Sequence, residues 1–222
     1  ATWATQASRT TETLRGVDFV SATEGWIAGE RGTILHTANG GADWAPQASG
    51  VEAALHAIHF FDGLHGIAVG ASGTVLRTAD GGSTWSRQSS GTSATLCDLV
   101  FADRDTGWVV GGNGVILKTI DGGESWSRQS SGTALTLFGV ACTDATTAWA
   151  VGAQGALRLT TDGGATWTAR RSPTAKTLLA TEFIDPQHGW LVVQGRRVLE
   201  TADGGLDWCS GASATCGLRA VA

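Results

Sequence analysis

The sequence predicts an all-β protein, a single β-propeller of five four-stranded antiparallel blades, and three observations carry this prediction. The motif T-x-[DN]-G-G-x-x-W recurs five times with a period of 41 residues. Two columns of large apolar residues keep the same period. Each repeat also contains four short runs of strand-forming residues separated by Gly-bearing turns, and four strands in about 40 to 45 residues is the period of a propeller blade.

The repeated motif is predicted to be a structural turn. Its copies span Thr37–Trp44, Thr78–Trp85, Thr119–Trp126, Thr160–Trp167 and Thr201–Trp208, with Asn39, Asp80, Asp121, Asp162 and Asp203 at the acidic position. We expect that side chain to accept hydrogen bonds from backbone N–H groups one or two residues further on, while the two Gly take positive φ in a tight hairpin. Because separate blades hold these side chains apart, they are not expected to form a metal or acid–base site.

The apolar columns mark the first two strands of each blade. The second-strand column lies 13 residues before the acidic position and reads Trp26, Ile67, Trp108, Trp149 and Trp190. The first-strand column lies 20 residues before it and reads Phe19, Phe60, Phe101, Cys142 and Phe183. A blade buries both sheet faces against its neighbours, so both columns are predicted to be packing residues.

From the period we predict that residues 1–222 form one propeller domain. The predicted units are 9–49, 50–90, 91–131, 132–172 and 173–208, with 1–8 as a closing strand and 209–222 as a C-terminal tail. Residues 2–8 repeat the pattern that begins at Trp44, so we expect them to complete the last blade. The alternative is that the chain after Trp208 supplies this strand. Gln6 keeps the Gln of the pattern whereas Gly211 does not, which favours the N-terminal strand.

Composition limits the classes of function. The net charge of −5 discourages non-specific binding to nucleic acid, and the apolar runs are far shorter than the ~20 residues of a membrane span. The absence of Met and the Ala1 start are expected of an exported chain, periplasmic, lumenal or extracellular, whose signal peptide has been removed, with a trimmed chain as the alternative. Cys209 and Cys216 enclose a short loop and are candidates for a disulfide.

The motif resembles the Asp-box, or BNR, repeat. The fuller pattern of G-W-x-x-G, G-x-(I/V)-L-x-T and D-G-G-x-x-W, which extends from Trp3 to Trp208, resembles the photosystem II assembly and stability factor family. This resemblance implies an exported propeller that binds other proteins during assembly of a membrane complex. That family is usually described with seven blades, whereas this chain has five repeats. Related repeats occur in sialidases, but those enzymes use a Tyr nucleophile and this sequence has no Tyr.

Candidate binding residues are those at which one repeat departs from the others, on the loops that enter the first strand or join the second and third. These residues, and the neighbouring ends of the fourth strands, are Arg15, Glu30, Arg31, His56, Asn113, Arg170, Arg171, Arg196 and Arg197. The Arg pairs at 170–171 and 196–197, with Lys176 nearby, form a basic region in an acidic protein. Guanidinium groups suit bidentate contact with carboxylates of a protein partner or an anionic ligand, although clustered surface Arg also serves solvation alone.

We therefore predict a non-enzymatic binding or assembly module with a protein partner and no cofactor. One alternative is an enzyme that uses Asp18, His59 and Glu182, which share a first-strand column, as metal ligands or acid–base groups beside a central channel. Solvated channel residues are the simpler explanation of that column. Another alternative is a lectin that binds glycans between blades. Cys97 and Cys142 fall on different positions of the repeat and are expected to be small buried residues without a mutual disulfide.

Overall fold

The computed structural model describes residues 5–195 and 197–210. Within them the chain forms five four-stranded antiparallel sheets of the β-propeller type, and each sheet pairs its strands in chain order. The prediction of an all-β chain with four strands per repeat is confirmed. None of the helical turns in this part of the chain has the length and apolar character that crossing a bilayer requires.

Two compact units divide the chain. The first comprises residues 1–96 with 123–126, and the second comprises residues 97–122 with 127–222. The sheets of the first unit are β1 Leu14–Phe19, β2 Gly25–Gly29, β3 Ile34–Thr37 and β4 Ala45–Gln47, then β5 Leu55–Phe60, β6 Gly66–Gly70, β7 Val75–Thr78 and β8 Ser86–Gln88.

The remaining three sheets belong to the second unit, apart from Leu96 and the turn at 123–126. The third sheet contains β9 Leu96–Phe101, β10 Gly107–Gly111, β11 Ile116–Thr119 and β12 Ser127–Gln129. The fourth contains β13 Leu137–Cys142, β14 Ala148–Gly152, β15 Leu157–Thr160 and β16 Thr168–Ala169. The fifth contains β17 Leu178–Phe183, β18 Gly189–Val193, β19 Arg197–Thr201 and β20 Cys209–Ser210.

The repeated motif forms a hydrogen-bonded turn between the third and fourth strands. In the second sheet, Asp80 Oδ1 accepts the N–H of Thr84 at 2.8 Å and the hydroxyl of Thr78 at 2.8 Å. The two Gly take positive φ, +71° at Gly81 and +86° at Gly82, as predicted. The predicted acceptor geometry was wrong, because the bonded N–H lies four residues further on. The two left-handed Gly fold the chain back, so that this more distant N–H meets the carboxylate.

Stacked aromatic rings join neighbouring sheets inside each unit. In the first unit the ring centroids of Trp26 and Phe60 are 3.6 Å apart, and in the second unit those of Trp149 and Phe183 are 3.7 Å apart. The Trp26 indole N–H also donates to the carbonyl of Gly81 at 3.2 Å. The two apolar columns therefore pack one sheet onto the next, as the repeat predicts.

First strands approach one another closely within a unit. A Cβ added to Gly16 would lie 3.1 Å from the Cα of Ala57, and one added to Gly139 would lie 2.9 Å from the Cα of Ala180. At Gly16 and at Gly139, therefore, only a very small residue fits between the two backbones.

The prediction that residues 2–8 complete the fifth sheet is wrong for the described residues. The fourth strand there is β20, which pairs with β19 and falls within the predicted tail. A hairpin that follows directly from the turn after Thr201 closes a far shorter loop than the pairing of the two chain ends, so less entropy is lost. Residues 1–4 and Gly211 lie outside the described residues. Gln6 nevertheless donates to the carbonyl of Gly40 at 3.2 Å, as Gln47 does to Gly81 at 2.7 Å.

The cysteines fall into two states. Cys209 is disulfide-bonded, whereas Cys97 and Cys142 are free thiols. Cys216, the predicted partner of Cys209, lies outside the described residues.

Candidate functional site

In the first four sheets, the turn between the second and third strands presents one exposed side chain on a fixed backbone. These exposed residues adopt left-handed φ values of 53° to 57°, and they are Arg31, Ser72, Asn113 and Gln154. The Gly after each is buried against the loop that follows the fourth strand. A Cβ on Gly32, for example, would lie 1.9 Å from the carbonyl oxygen of Val51. The backbone is therefore held in place while the displayed side chain differs from sheet to sheet, which is typical of a binding surface on a rigid scaffold.

In the first unit the predicted cations are already paired. Arg15 donates from Nε to Glu30 Oε1 at 2.7 Å and makes a second contact to the same oxygen through Nη2. Arg31 lies 3.8 Å from the carboxylate of Glu12. His56 places Nδ1 2.9 Å from the carbonyl oxygen of Leu96, so this ring nitrogen acts as a donor to the backbone. Because these side chains already contact carboxylates or a backbone carbonyl, they are less suited to bind an anion.

In the second unit Arg170, Arg171, Lys176 and Arg197 are all exposed, and we call these four residues the basic sector. None of them takes part in an ion pair found among the described residues. Arg196, also predicted for this site, lies outside the described residues. Four cations make this surface locally positive in a chain of net charge −5.

Turns of the fourth and fifth sheets position the basic sector. The N–H of Arg170 donates to the carbonyl of Leu157 at 3.0 Å and so extends the pairing of β15 with β16. A Cβ on Gly155 would lie 2.1 Å from the carbonyl oxygen of Thr174, which shows how tightly the loop after Arg171 packs on the neighbouring turn. The Lys176 ammonium lies 3.5 Å from where a Cβ of Gly195 would stand.

A small cavity of about 130 Å³ lies at one side of the basic sector. It is lined by Pro173, Thr174, Val193, Arg197, Leu199 and Trp208. This volume suits one small side chain, and Arg197 contributes a cationic group to an otherwise largely apolar lining. The cavity therefore supplies a place for an anchoring residue beside the exposed charges.

Of the three residues predicted for an enzyme site beside a central channel, the structure brings together Asp18 and His59. Their Oδ2 and Nδ1 atoms are 3.1 Å apart, and the same oxygen accepts the N–H of Phe60 at 2.7 Å. Burial raises the pKa of Asp18, but the hydrogen bonds from His59 and Phe60 outweigh it and hold that pKa below its usual value. Glu182 belongs to the second unit, where partial removal of its carboxylate from water raises its pKa. Among residues 5–195 and 197–210, no group of three or more His, Cys, Asp or Glu is placed to hold a metal ion.

Asp98 is a partly buried carboxylate that the sequence analysis missed. It stands in β9 at the position where the other repeats have Gly16, Ala57, Gly139 and Ala180. Its side chain accepts the N–H of Val140 at 3.0 Å and that of Leu99 at 2.9 Å, which ties β9 to β13. Burial raises its pKa to about 6 despite these bonds, with a further contribution from Glu182. The departure from four small residues was the signal that would have identified it.

The two free thiols are not activated nucleophiles. Burial raises the pKa of Cys97 to about 11 and that of Cys142 to about 12, in each case with help from neighbouring carboxylates. A reactive cysteine needs a lowered pKa, so both are structural residues.

Comparison with known proteins places the chain in a family. The sequence profile of the photosynthesis system II assembly factor YCF48 matches residues 1–87 and 86–135, which is more than half of the chain. No curated protein sequence gives a match.

Solved structures share the fold. YCF48 bound to D1 peptide superposes with a TM-score of 0.72 at 21% identity, over 90% of this chain and 66% of that one. YCF48 from Cyanidioschyzon merolae gives 0.54 at 21% identity, over 91% and 86% of the two chains. The GH74 enzyme of Niastella koreensis gives 0.70 at 16% identity, over 89% and 38%. This chain thus spans about two thirds of the peptide-bound YCF48, and identities this low show likeness of fold alone. On the profile match over more than half of its length, the chain belongs to the family of the photosynthesis system II assembly factor YCF48.

Proposed function

We propose that the chain is a non-enzymatic scaffold that binds an acidic segment of a protein partner through its basic sector. The observation that carries this proposal is the set of four exposed cations outside any ion pair found among the described residues, held on loops that pack against left-handed Gly turns. A carboxylate-rich partner could bind these four cations without first breaking an ion pair within the protein. Arg170, Arg171 and Arg197 supply guanidinium groups for paired hydrogen bonds.

Family membership supports a protein partner. One YCF48 structure holds a D1 peptide, so the same kind of ligand is the first candidate for this chain. The rest of that protein's activity is a further proposal here, because this chain spans about two thirds of its length. In the second unit the exposed left-handed residues Asn113 and Gln154 offer further variable contacts to a partner.

We also propose that the five sheets are successive blades of one propeller domain spanning 1–222, and that their turns are Asp-box turns. The shared period of 41 residues supports this, as does the repetition of the Trp–Phe stack in both units. We further propose that the protein is exported. The disulfide at Cys209 supports export, because disulfides persist in oxidising compartments.

Binding of labelled peptides tests the function. The probes are the D1 peptide, a peptide rich in Glu, and the same peptide with Gln in place of each Glu, each followed by fluorescence anisotropy. We expect the acidic peptide to bind in preference to its Gln counterpart, with an affinity that falls as salt rises, since salt screens exposed charges. Arg170→Glu/Arg171→Glu is expected to weaken binding by at least about tenfold, because it places like charges opposite the peptide.

A matched control separates a specific site from a net-charge effect. Arg87→Glu/Arg128→Glu makes the same change in charge on the exposed strands β8 and β12. We expect this variant to bind the acidic peptide nearly as well as the wild type. Equal weakening by both variants would remove the basic sector as the site. Binding of a neutral glycan in place of either acidic peptide would favour the lectin alternative.

A further inference from the structure

The Trp that ends the repeated motif bonds, in the second and fourth sheets, to a Gln of the sheet before it. In the first unit the Trp85 indole N–H donates to Gln47 Oε1 at 3.4 Å. In the second unit the Trp167 indole N–H donates to Gln129 Oε1 at 2.9 Å. The side-chain amide of each Gln donates in turn to the carbonyl of the first motif Gly. This Gln therefore satisfies an indole N–H and links two sheets.

The fifth sheet cannot make this contact, because the fourth repeat has Arg170 where earlier repeats have Gln. A guanidinium group carries N–H donors and no acceptor, so it does not replace the Gln carbonyl. The Nε1 atom of Trp208 is buried, and no residue in the ranges 5–195 and 197–210 accepts a hydrogen bond from it. Because a buried donor without a partner is costly, this indole N–H is suited to an acceptor from a ligand.

Space is open where the missing Gln side chain would lie. A Cβ on Gly164 would stand 2.1 Å from Gln129 Oε1, so in the fourth sheet the Gln fills this position. The three atoms nearest to a Cβ on Gly205 all belong to Trp208, the closest at 3.1 Å. Trp208 also lines the cavity of about 130 Å³ at the side of the basic sector, together with Arg197. An unpartnered N–H and a cationic group therefore belong to residues that line the same cavity.

This cavity lies inside the second unit. Val193 and Leu199 line it and are 2% and 5% exposed, since they belong to the core that joins the fourth and fifth sheets. Pro173 and Thr174 line it from the loop after β16, the loop that follows Arg170 and Arg171. Its walls are thus set by contacts between two neighbouring sheets of one unit.

We propose that this cavity binds one carboxylate of the acidic partner segment, with the Trp208 indole N–H and the Arg197 guanidinium as donors. This assignment deepens the proposed function and rests on it for the source of the carboxylate. A carboxylate uses both groups, because it accepts hydrogen bonds and carries the charge that complements Arg197. An amide side chain would satisfy the indole but leave the guanidinium without a counter-charge.

The indole N–H resonance of Trp208 in proton–nitrogen correlation spectra tests this proposal. Its loss in Trp208→Phe assigns it. The probes are sodium acetate and the Glu-rich peptide, and their controls are sodium chloride at equal ionic strength and the Gln counterpart of the peptide. We expect both probes, and neither control, to shift the Trp208 indole proton downfield, because a charge-assisted hydrogen bond to a carboxylate is stronger than a neutral one.

Substitution of the indole tests the same contact by affinity. Trp208→Phe keeps an aromatic ring and removes the donor, so it is expected to weaken binding of the Glu-rich peptide by about tenfold. Trp167→Phe is the matched control, because Gln129 already accepts that indole N–H within the protein. It is expected to leave peptide binding unchanged, and circular dichroism verifies that both variants are folded.

Arg170→Gln returns the Gln of the repeat and is expected to satisfy Trp208 from within. The Trp208 indole proton should then lie downfield without ligand and respond no further to acetate, and the free energy of unfolding should rise. Arg171→Gln removes the same charge from the next residue without supplying an acceptor, so its Trp208 resonance is expected to behave as in the wild type.

The outcomes separate this proposal from the proposed function. A Trp208 resonance that responds to neither probe overturns the carboxylate site, whether or not the peptide binds. If the peptide binds without moving that resonance, the proposed function stands and the site is overturned. If acetate moves it but the peptide does not bind, the site is supported and the acidic segment is overturned. An equal response to the Gln counterpart, or equal losses in Trp208→Phe and Trp167→Phe, would overturn the site as well.

Discussion

Two carboxylates on first strands, Asp18 and Asp98, bond to the backbone of the neighbouring first strand but differ in surroundings. Asp18 has His59 beside it, and hydrogen bonds outweigh burial to lower its pKa. Burial dominates at Asp98 and raises its pKa to about 6, against a reference value of 3.8. The folded protein therefore holds the Asp98 proton more tightly than the unfolded chain does. Its contribution to stability is complete below about pH 4 and is lost as pH rises to about 6.

The pH dependence of unfolding follows from this difference. Subtracting the free energy of unfolding of Asp98→Asn from that of the wild type is expected to give a curve that falls by about 3 kcal/mol between pH 4 and 6 and is flat above. Denaturant titrations at a series of pH values supply the measurement. For Asp18→Asn the difference has the opposite sign, because stabilisation by Asp18 is lost as pH falls. A slope that survives in Asp98→Asn would belong to another group, with Glu182 as the first candidate.

Gly114 and Gly132 share a left-handed backbone but not a neighbourhood. Their φ values are +64° and +66°, and a Cβ on Gly114 would lie 1.9 Å from the Thr133 carbonyl oxygen, whereas Gly132 has no atom within 4 Å of such a Cβ. Gly132→Ala is expected to cost about 1 kcal/mol, the conformational term alone. Gly114→Ala is expected to cost about 2 kcal/mol more, because the turn must move. Equal losses in thermal or denaturant unfolding would show that the turn yields without strain.

At the scale of the sheet, Phe19 and Phe60 form a natural comparison. Each meets a Trp of its own sheet edge to face, with ring centroids 6.0 Å apart for Phe19–Trp44 and 5.8 Å for Phe60–Trp85. Only Phe60 also stacks on a Trp of the preceding sheet. Phe60→Ala is therefore expected to cost about 3 to 5 kcal/mol, as a buried aromatic does. Phe19→Ala is expected to cost less than half of that in the monomer, and a similar loss for both would mean that the first-sheet face is covered.

The period of the sequence was enough to predict most elements. The period predicted the stacked Trp and Phe columns, the left-handed Gly pairs and the four strands of each sheet, because the same packing pattern occurs in all five repeats. It failed where only one copy carries the information. The source of the last strand depends on the entropy of closing a loop, which the pattern of Gln6 does not encode. Asp98 was missed because departures from the repeat were sought on the loops and not within the strands.

The candidate site was harder to predict for the same reason. Arg15 and Arg31 look like Arg170 and Arg171 in the sequence, but Glu30 and Glu12 pair with the first two in the fold. Sequence spacing did not separate a paired cation from an unpaired one. That difference follows from the β-bulge between Leu14 and Gly16 in β1 and from the left-handed turn at Arg31 and Gly32, which exist only once the sheet has formed.

Across the whole molecule, coverage of sheet faces sets local stability. Repeat proteins gain stability from each sheet and from each interface between neighbours, so a sheet with one open face has one interface fewer. The second strands show this directly. All five residues are buried in β6, β10 and β14, whereas β18 alternates between buried and more exposed positions.

Hydrogen exchange measured by mass spectrometry is expected to follow that coverage. Amides of β10 and β14 should exchange most slowly and those of β18 at least about tenfold faster, because opening the fifth sheet breaks contacts on one face only. The strands have similar sequences, so their intrinsic exchange rates are close and the comparison reports structure. The measurement belongs at a dilution where the protein is monomeric. Equal protection of β18 and β10 in the monomer would mean that the fifth-sheet face is covered within one chain.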